Sequence, residues 1–246
     1  MNRIEFEKYV KLSSIPLRKI DKNLMLIGLA SGCFIDYHDH RLLLTVQHAT
    51  GDMGDMGDMG DWAAEIKFEP NKGTQLYRLG AMNFLKFLNS NNPISRNIDF
   101  AYVAVDNNTV SYFQEIEPNG NVVSEVPRKV CAVDFDLEPE KSENYGFSGQ
   151  VMPSISGNHL ITEHKTYLDL KYVGKDDDYL MFELPISHPG HAHFQGCSGA
   201  PIIDMNGNTV ALVCKGDIDT NRIYGISLKK YLVAIDATYG DLAKSI

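Results

Sequence analysis

Four cysteines, Cys33, Cys131, Cys197 and Cys214, are all the chain of 246 residues has, and none stands in a Cys-x-x-Cys pair. That scarcity excludes a disulfide-stapled scaffold and a zinc ribbon. The opening stretch "MNRIEFEKYVKLSS" carries charges throughout and lacks the apolar core of a signal peptide. The expectation is therefore free thiols in a reducing compartment, the cytoplasm. No apolar run approaches the roughly eighteen residues of a spanning helix, so no membrane partner is expected. Positive charge is short as well. With 32 acidic against 23 basic side chains, a net charge of −9 and a pI near 5.3, no global field draws the protein to nucleic acid or anionic lipid. Helical periodicity is the last scarcity. Only "LYRLGAMNFLKFLNS" (76–90) and "LKKYLVAIDATYGDLA" (228–243) have apolar residues at helical spacing, and Gly80 weakens the first.

Short apolar, β-branched runs between turn signals are plentiful instead. They include 24–35, 41–49, 98–105, 128–135, 167–174, 178–184, 199–204, 209–216 and 223–228. Many short strands with Gly, Asn or Asp at the joints predict an all-β sandwich or barrel pair, closed by a C-terminal helix. "DMNGNT" (204–209) sets Asn-Gly between two such runs, a strong hairpin signal, and "YHDHR" (37–41) reads as a second reversal. The acidic stretch 134–144 reads as an exposed loop. "GDMGDMGDMGD" (51–61) repeats a three-residue unit, and its carboxylates could gather a cation. Mutual repulsion and glycine entropy favour a mobile surface loop.

The chemistry is concentrated in "HFQGCSGAPIID" (193–204), which sets Cys197 and Ser198 side by side. A serine hydroxyl needs a base to take its proton and donors to hold the oxyanion it creates. A Gly-x-Ser-Gly turn meets the second need, because Gly196 can aim its own N–H and that of Ser198 into one hollow. For the first need, "LLLTVQHAT" sets His48 at the end of an apolar run, and "RNIDFAYVAV" sets Asp99 at the start of another. The order His, Asp, Ser is one known arrangement of a nucleophilic triad.

Five motifs in sequence order resemble the chymotrypsin-like (trypsin-like) serine peptidase family, as an intracellular, bacterial-type member. They are "SGCFI", "LTVQHA", "DFAYVAV", "NYGFSG" and "GCSGAPIID" with the hairpin that follows it. The resemblance implies two packed antiparallel β-barrels, the first over 1–120 with His48 and Asp99, the second over 121–246 with Ser198 and the C-terminal helix. It implies a serine endopeptidase working through an acyl-enzyme on a peptide or protein substrate, with no cofactor and no metal. Ser198 would attack, His48 would shuttle the proton, and Asp99 would orient the imidazole. The N–H groups of Gly196 and Ser198 would form the oxyanion hole. Ala192, His193 and Gln195 would contact substrate, and the strand Cys214-Lys215-Gly216 would pair with its backbone. Cysteine-nucleophile relatives carry the thiol at the slot Ser198 fills, so Cys197 is expected to point inward.

Departures shape the expectations further. Cys197 stands where digestive members keep the Asp that pairs with a freed N-terminus, which argues against N-terminal zymogen activation. Cys214 stands where a serine usually supports the triad aspartate. Ala192 stands near the position where members selective for basic residues keep an acid. His193 could offer a proton donor to an acidic or amide substrate side chain, against the alternative that His188, His191 and His193 are loop histidines; a zinc site from the three is disfavoured because no fourth ligand is evident. The reading from another class is a catalytically silent or partner-gated binding module on the same fold, which would bring in a regulatory protein partner.

Overall fold

A computed structural model describes residues 1–23, 25–50, 61–89, 92–156 and 159–240. The Gly-Asp-Met repeat, save Asp61, lies outside the described residues, as does the end of the C-terminal helical stretch. Helix α1 (Arg3–Ser13) leads into β1 (Ile15–Ile20), β2 (Leu26–Tyr37) and β3 (His40–Thr45). A single helical turn, α2 (Gln47–Thr50), precedes β4 (Asp61–Glu69), β5 (Gly73–Arg78), β6 (Asn83–Asn89) and β7 (Asn92–Val105). The hairpin β8 (Tyr112–Ile116) and β9 (Val122–Pro127) leads to β10 (Val130–Val133). Then come β11 (Tyr145–Ser156), β12 (His159–Asp176), β13 (Tyr179–Glu183), β14 (Pro201–Asp204), β15 (Asn208–Asp217) and β16 (Arg222–Ser227). Helix α3 (Leu232–Tyr239) closes the described chain.

Strands β14-β11-β12-β13-β16-β15 run in that order and close on themselves through the β14–β15 pair, giving a six-stranded barrel. Its interior is filled by Tyr145, Phe147, Leu170, Leu180, Phe182 and Ile202, all essentially inaccessible to water. The first half curls seven strands in the order β5-β4-β1-β2-β3-β7-β6 around Ile15, Leu17, Phe34, Leu43 and Val103. All pairings within each half are antiparallel. Strand β10 is the exception, lying parallel to both β2 and β15 and so bridging the halves. Position 120 falls in the turn joining β8 to β9.

The terminal helices cross over. Asn2 caps α1 by accepting from the Glu5 amide, while the Glu5 carboxylate accepts from the Asn2 amide. The helix buries Phe6 and Val10 against Ile203 of the second half. Helix α3 and the turn before it instead bury Tyr231 and Ile235 with Phe100 and Tyr102 of the first half, in a core shared with Leu212 and Cys214. Tyr231 stacks on Phe100 at 4.2 Å between ring centroids. The residue after Asp99 is thereby locked between the two halves, and burying two such rings contributes on the order of 2 kcal/mol each.

The expected helix over 76–90 is replaced by the end of β5 and by β6. Strand β6 pairs antiparallel with β7, Asn83 opposite Tyr102 and Phe84 opposite Ala101. A ladder partner satisfies the backbone at every second residue, and that tertiary gain overrides a local helical pattern already interrupted by Gly80. Both predicted reversals form: His38 and Asp39 join β2 to β3 with His38 at φ 49°, and Asn206-Gly207 joins β14 to β15 with Gly207 at φ 95°.

Candidate active site

Ser198 sits in a loop between the segment after β13 and strand β14. The loop is shaped by two glycines at positive φ, Gly196 at 102° and Gly199 at 88°. A Cβ on Gly196 would come within 2.3 Å of the Gln150 carbonyl oxygen, and one on Gly199 within 2.1 Å of that of Ser31. Nothing larger than glycine fits at either place, whatever the dihedral strain. The loop is pinned to β15 from below. The Gly199 amide donates to the Val213 carbonyl at 2.8 Å, and the Val213 amide donates to the Ala200 carbonyl at 2.9 Å.

His48 lies on the helical turn after β3, and Asp99 lies in β7, the strand hydrogen-bonded to β3. That pairing brings the two together. The His48 amide donates to Asp99 Oδ1 at 3.0 Å, and His48 Nδ1 lies 2.9 Å from Asp99 Oδ2. On the other side His48 Nε2 lies 3.0 Å from Ser198 Oγ. A carboxylate can only accept, so Nδ1 carries the proton and Nε2 keeps a lone pair facing the serine hydroxyl. The imidazole side chain is 47% exposed and the Asp99 side chain 16%. One edge of the ring is open to the cleft, and the carboxylate behind it is shielded. Burial by itself would raise the pKa of Asp99, but the hydrogen bonds and charge of His48 outweigh it and hold the carboxyl below its usual range.

The Cys214 thiol is within reach of two acceptors, the Asp99 carboxylate and, at 3.5 Å, the Leu212 carbonyl oxygen. Burial first, and the Asp99 charge second, push its pKa well up, so it stays protonated and donates. Cys197 points inward and is wholly buried; a Cβ on Gly149 would meet its sulfur at 2.8 Å. Burial pushes that thiol up to about 12. It is neither ionised nor exposed.

Among the described residues, neither the Gly196 nor the Ser198 amide donates to a protein acceptor, whereas the intervening Cys197 amide donates to Phe194 O at 2.9 Å. Beside Ser198 opens a cavity of about 480 Å³. Of the residues expected to contact substrate, Ala192, Gln195, Cys214, Lys215 and Gly216 line it. His193 does not. Its Nδ1 accepts from the Lys165 ammonium at 3.2 Å, and its carbonyl accepts from the Tyr167 hydroxyl. His188, His191 and His193 are not gathered around a common point, since His188 accepts from the Gly190 amide and packs on Phe194 while His193 turns to Lys165. Sequence reasoning missed His191, Phe194, Val213 and Ile223 as lining residues. Phe194, Val213 and Ile223 are ordinary core residues in any sequence pattern, and only barrel closure turns one side of each toward the cavity. Cys214 falls at a bulge, where the β15–β16 register shifts between Val213 and Lys215, a feature that leaves backbone groups outside the ladder.

No protein-family model and no curated protein matches the sequence. Solved structures do resemble it in fold. A serine endoprotease from Yersinia pestis superposes with a TM-score of 0.57 at 11% identity, over 98% of this chain and 67% of that one. Neuropsin, a serine protease expressed in the limbic system of mouse brain, gives 0.58 at 12% identity over 94% and 95% of the two chains. Human heparin binding protein gives 0.55 at 9% identity over 98% and 92%. The fold is therefore chymotrypsin-like: two packed β-barrels with a C-terminal helix.

Proposed function

We propose that the protein is a serine endopeptidase that cleaves peptide bonds through an acyl-enzyme. The observation that carries this reading is the bridge made by one imidazole, 2.9 Å from a shielded carboxylate and 3.0 Å from a serine hydroxyl at the mouth of a cleft. Ser198 Oγ attacks the scissile carbonyl as His48 Nε2 takes its proton. His48 then gives that proton to the leaving amine, and water repeats the sequence to free the acyl group. Asp99 holds the Nδ1–H tautomer and stabilises the imidazolium that forms. The amides of Gly196 and Ser198, without other acceptors among the described residues, receive the oxyanion. The bulged segment Cys214-Lys215-Gly216 takes substrate backbone as an added strand, and the cavity that Ala192 helps to line takes the side chain that precedes the cut.

A protein or peptide substrate fits the charge. The binding-module reading finds a parallel in the likeness to heparin binding protein, but a net charge of −9 opposes a polyanionic ligand. An open cleft beside two amides without protein acceptors among the described residues favours constitutive activity over partner gating. Four buried free thiols support a reducing compartment, the cytoplasm, as the place of work. The test is mass-spectrometric detection of new termini in an unfolded protein substrate. The native chain should generate internal cuts and Ser198→Ala should generate none above the uncatalysed background. Equal cutting by both proteins would refute the reading.

A further inference from the structure

We propose that Ser31, on the opposite half of the molecule, is a positioning residue that holds the nucleophile loop with its Gly196 and Ser198 amides toward the cleft. The inference rests on the peptidase reading for its kinetic consequence. Ser31 is buried at 1% exposure on β2. Its hydroxyl donates to the Gly196 carbonyl at 2.7 Å, and its amide donates to the Ser198 carbonyl at 2.8 Å. Its own carbonyl accepts from the Thr45 hydroxyl at 2.7 Å, so both of its donors and its backbone acceptor are committed.

The consequence follows from peptide planarity. The Gly196–Cys197 plane is bonded at both ends, its carbonyl to Ser31 and its N–H to Phe194 O. The Ser198–Gly199 plane is bonded at both ends as well, its carbonyl to Ser31 and its N–H to Val213 O. Between them lies the plane that carries the Ser198 amide, whose Cys197 carbonyl itself accepts from the Ala200 amide at 2.8 Å. With its own carbonyl bonded and both neighbouring planes fixed, that plane is held from turning, and its N–H is left without a protein acceptor among the described residues. The Ser31 hydroxyl supplies the one contact that a backbone alone could not. Without it, the buried Gly196 carbonyl has lost its donor, and turning the loop to find another is the cheapest relief. The first half of the chain would thus contribute an orientation for the oxyanion donors as well as a base.

The experiment compares steady-state peptide hydrolysis by the native chain with Ser31→Ala, Ser31→Thr and Thr45→Val, alongside hydrogen exchange of the Cys197 and Gly199 amides. Losing one oxyanion donor outright costs about 10²–10³ in kcat, so misaligning one in Ser31→Ala should cost about 10–100-fold in kcat, with KM changed less than about threefold. Ser31→Thr should regain most of the loss, and Thr45→Val should move kcat in the same direction by a smaller factor. Exchange at both amides should accelerate about tenfold or more in Ser31→Ala and stay slow in Ser31→Thr. A folded Ser31→Ala with native kcat, a loss confined to KM, or unaltered exchange would overturn the assignment. If Ser31→Ala does not fold, the other two variants decide: a Thr45→Val with native kcat and exchange overturns it. The exchange readout needs no turnover. A native chain that hydrolyses nothing would remove the peptidase reading, and the exchange result would still decide what Ser31 holds.

Discussion

Cys197 and Ser198 are neighbours in the chain and opposites in environment. The thiol is wholly buried against Gly149, with a pKa pushed up to about 12 by desolvation. The hydroxyl lies 3.0 Å from an imidazole whose outer edge is open. Cysteine is intrinsically the better nucleophile, so residue chemistry alone would choose the wrong one. Position chooses serine. In a loop with glycines at 196 and 199, successive residues face opposite sides, and the side that meets His48 belongs to residue 198.

The contrast can be broken most severely from the imidazole. His48→Ala removes the base that, among the described residues, lies in reach of Ser198, and should lower peptide turnover by about 10⁵–10⁶, since members of such a unit fail together. Turnover within tenfold of native would mean that another group activates the serine. A second histidine, partly buried on β12, gives a milder test. His164 accepts or donates to Ser148 at 3.2 Å and packs edge-on against Phe113. Burial, then the charges of Arg128 and Lys11, bring its pKa down to about 3. The unfolded chain, with an ordinary value of about 6.5, takes up a proton below that pH which the folded chain refuses until about pH 3. Stability is therefore full above pH 6.5 and falls on acidification, by about 2 kcal/mol between pH 7 and 4.5. Urea titrations of His164→Gln at the two pH values should lack that part of the loss, and an undiminished loss would place the titration elsewhere. The smallest effect belongs to the sealed side: Cys197→Ala should cost about 1 kcal/mol in the urea midpoint for the lost packing and leave Ser198 reactive. Loss of reactivity in a protein that still folds would give the thiol a part in the chemistry.

How much of this was legible in the sequence differs between the two halves. The strands of the second barrel from residue 167 onward, together with β2, β3 and β7, announce themselves as continuous apolar runs because they are buried on most sides. Strands β1, β4, β5 and β6 escaped. Strand β5 alternates half-buried and exposed residues along Gly73–Arg78, and β4 mixes charged Glu65 and Lys67 into a strand only partly covered. Such partly covered strands read as polar until their neighbours are known. The His48, Asp99 and Ser198 positions were legible because each is bracketed by an apolar run and a glycine or turn signal. His193, expected against substrate, is turned aside by the Lys165 ammonium and the Tyr167 hydroxyl, two partners more than twenty residues away that no local pattern reveals. Ser31 had a signal in its Ser-Gly dipeptide, but its partners lie across the molecule.

The most direct test of serine over cysteine is to treat the folded protein with a fluorophosphonate and map the adduct in the peptide that holds residues 197 and 198. The account predicts one adduct per chain, on Ser198, retained in Cys197→Ala and lost in Ser198→Ala. An adduct on Cys197, or one that survives in Ser198→Ala, would contradict it.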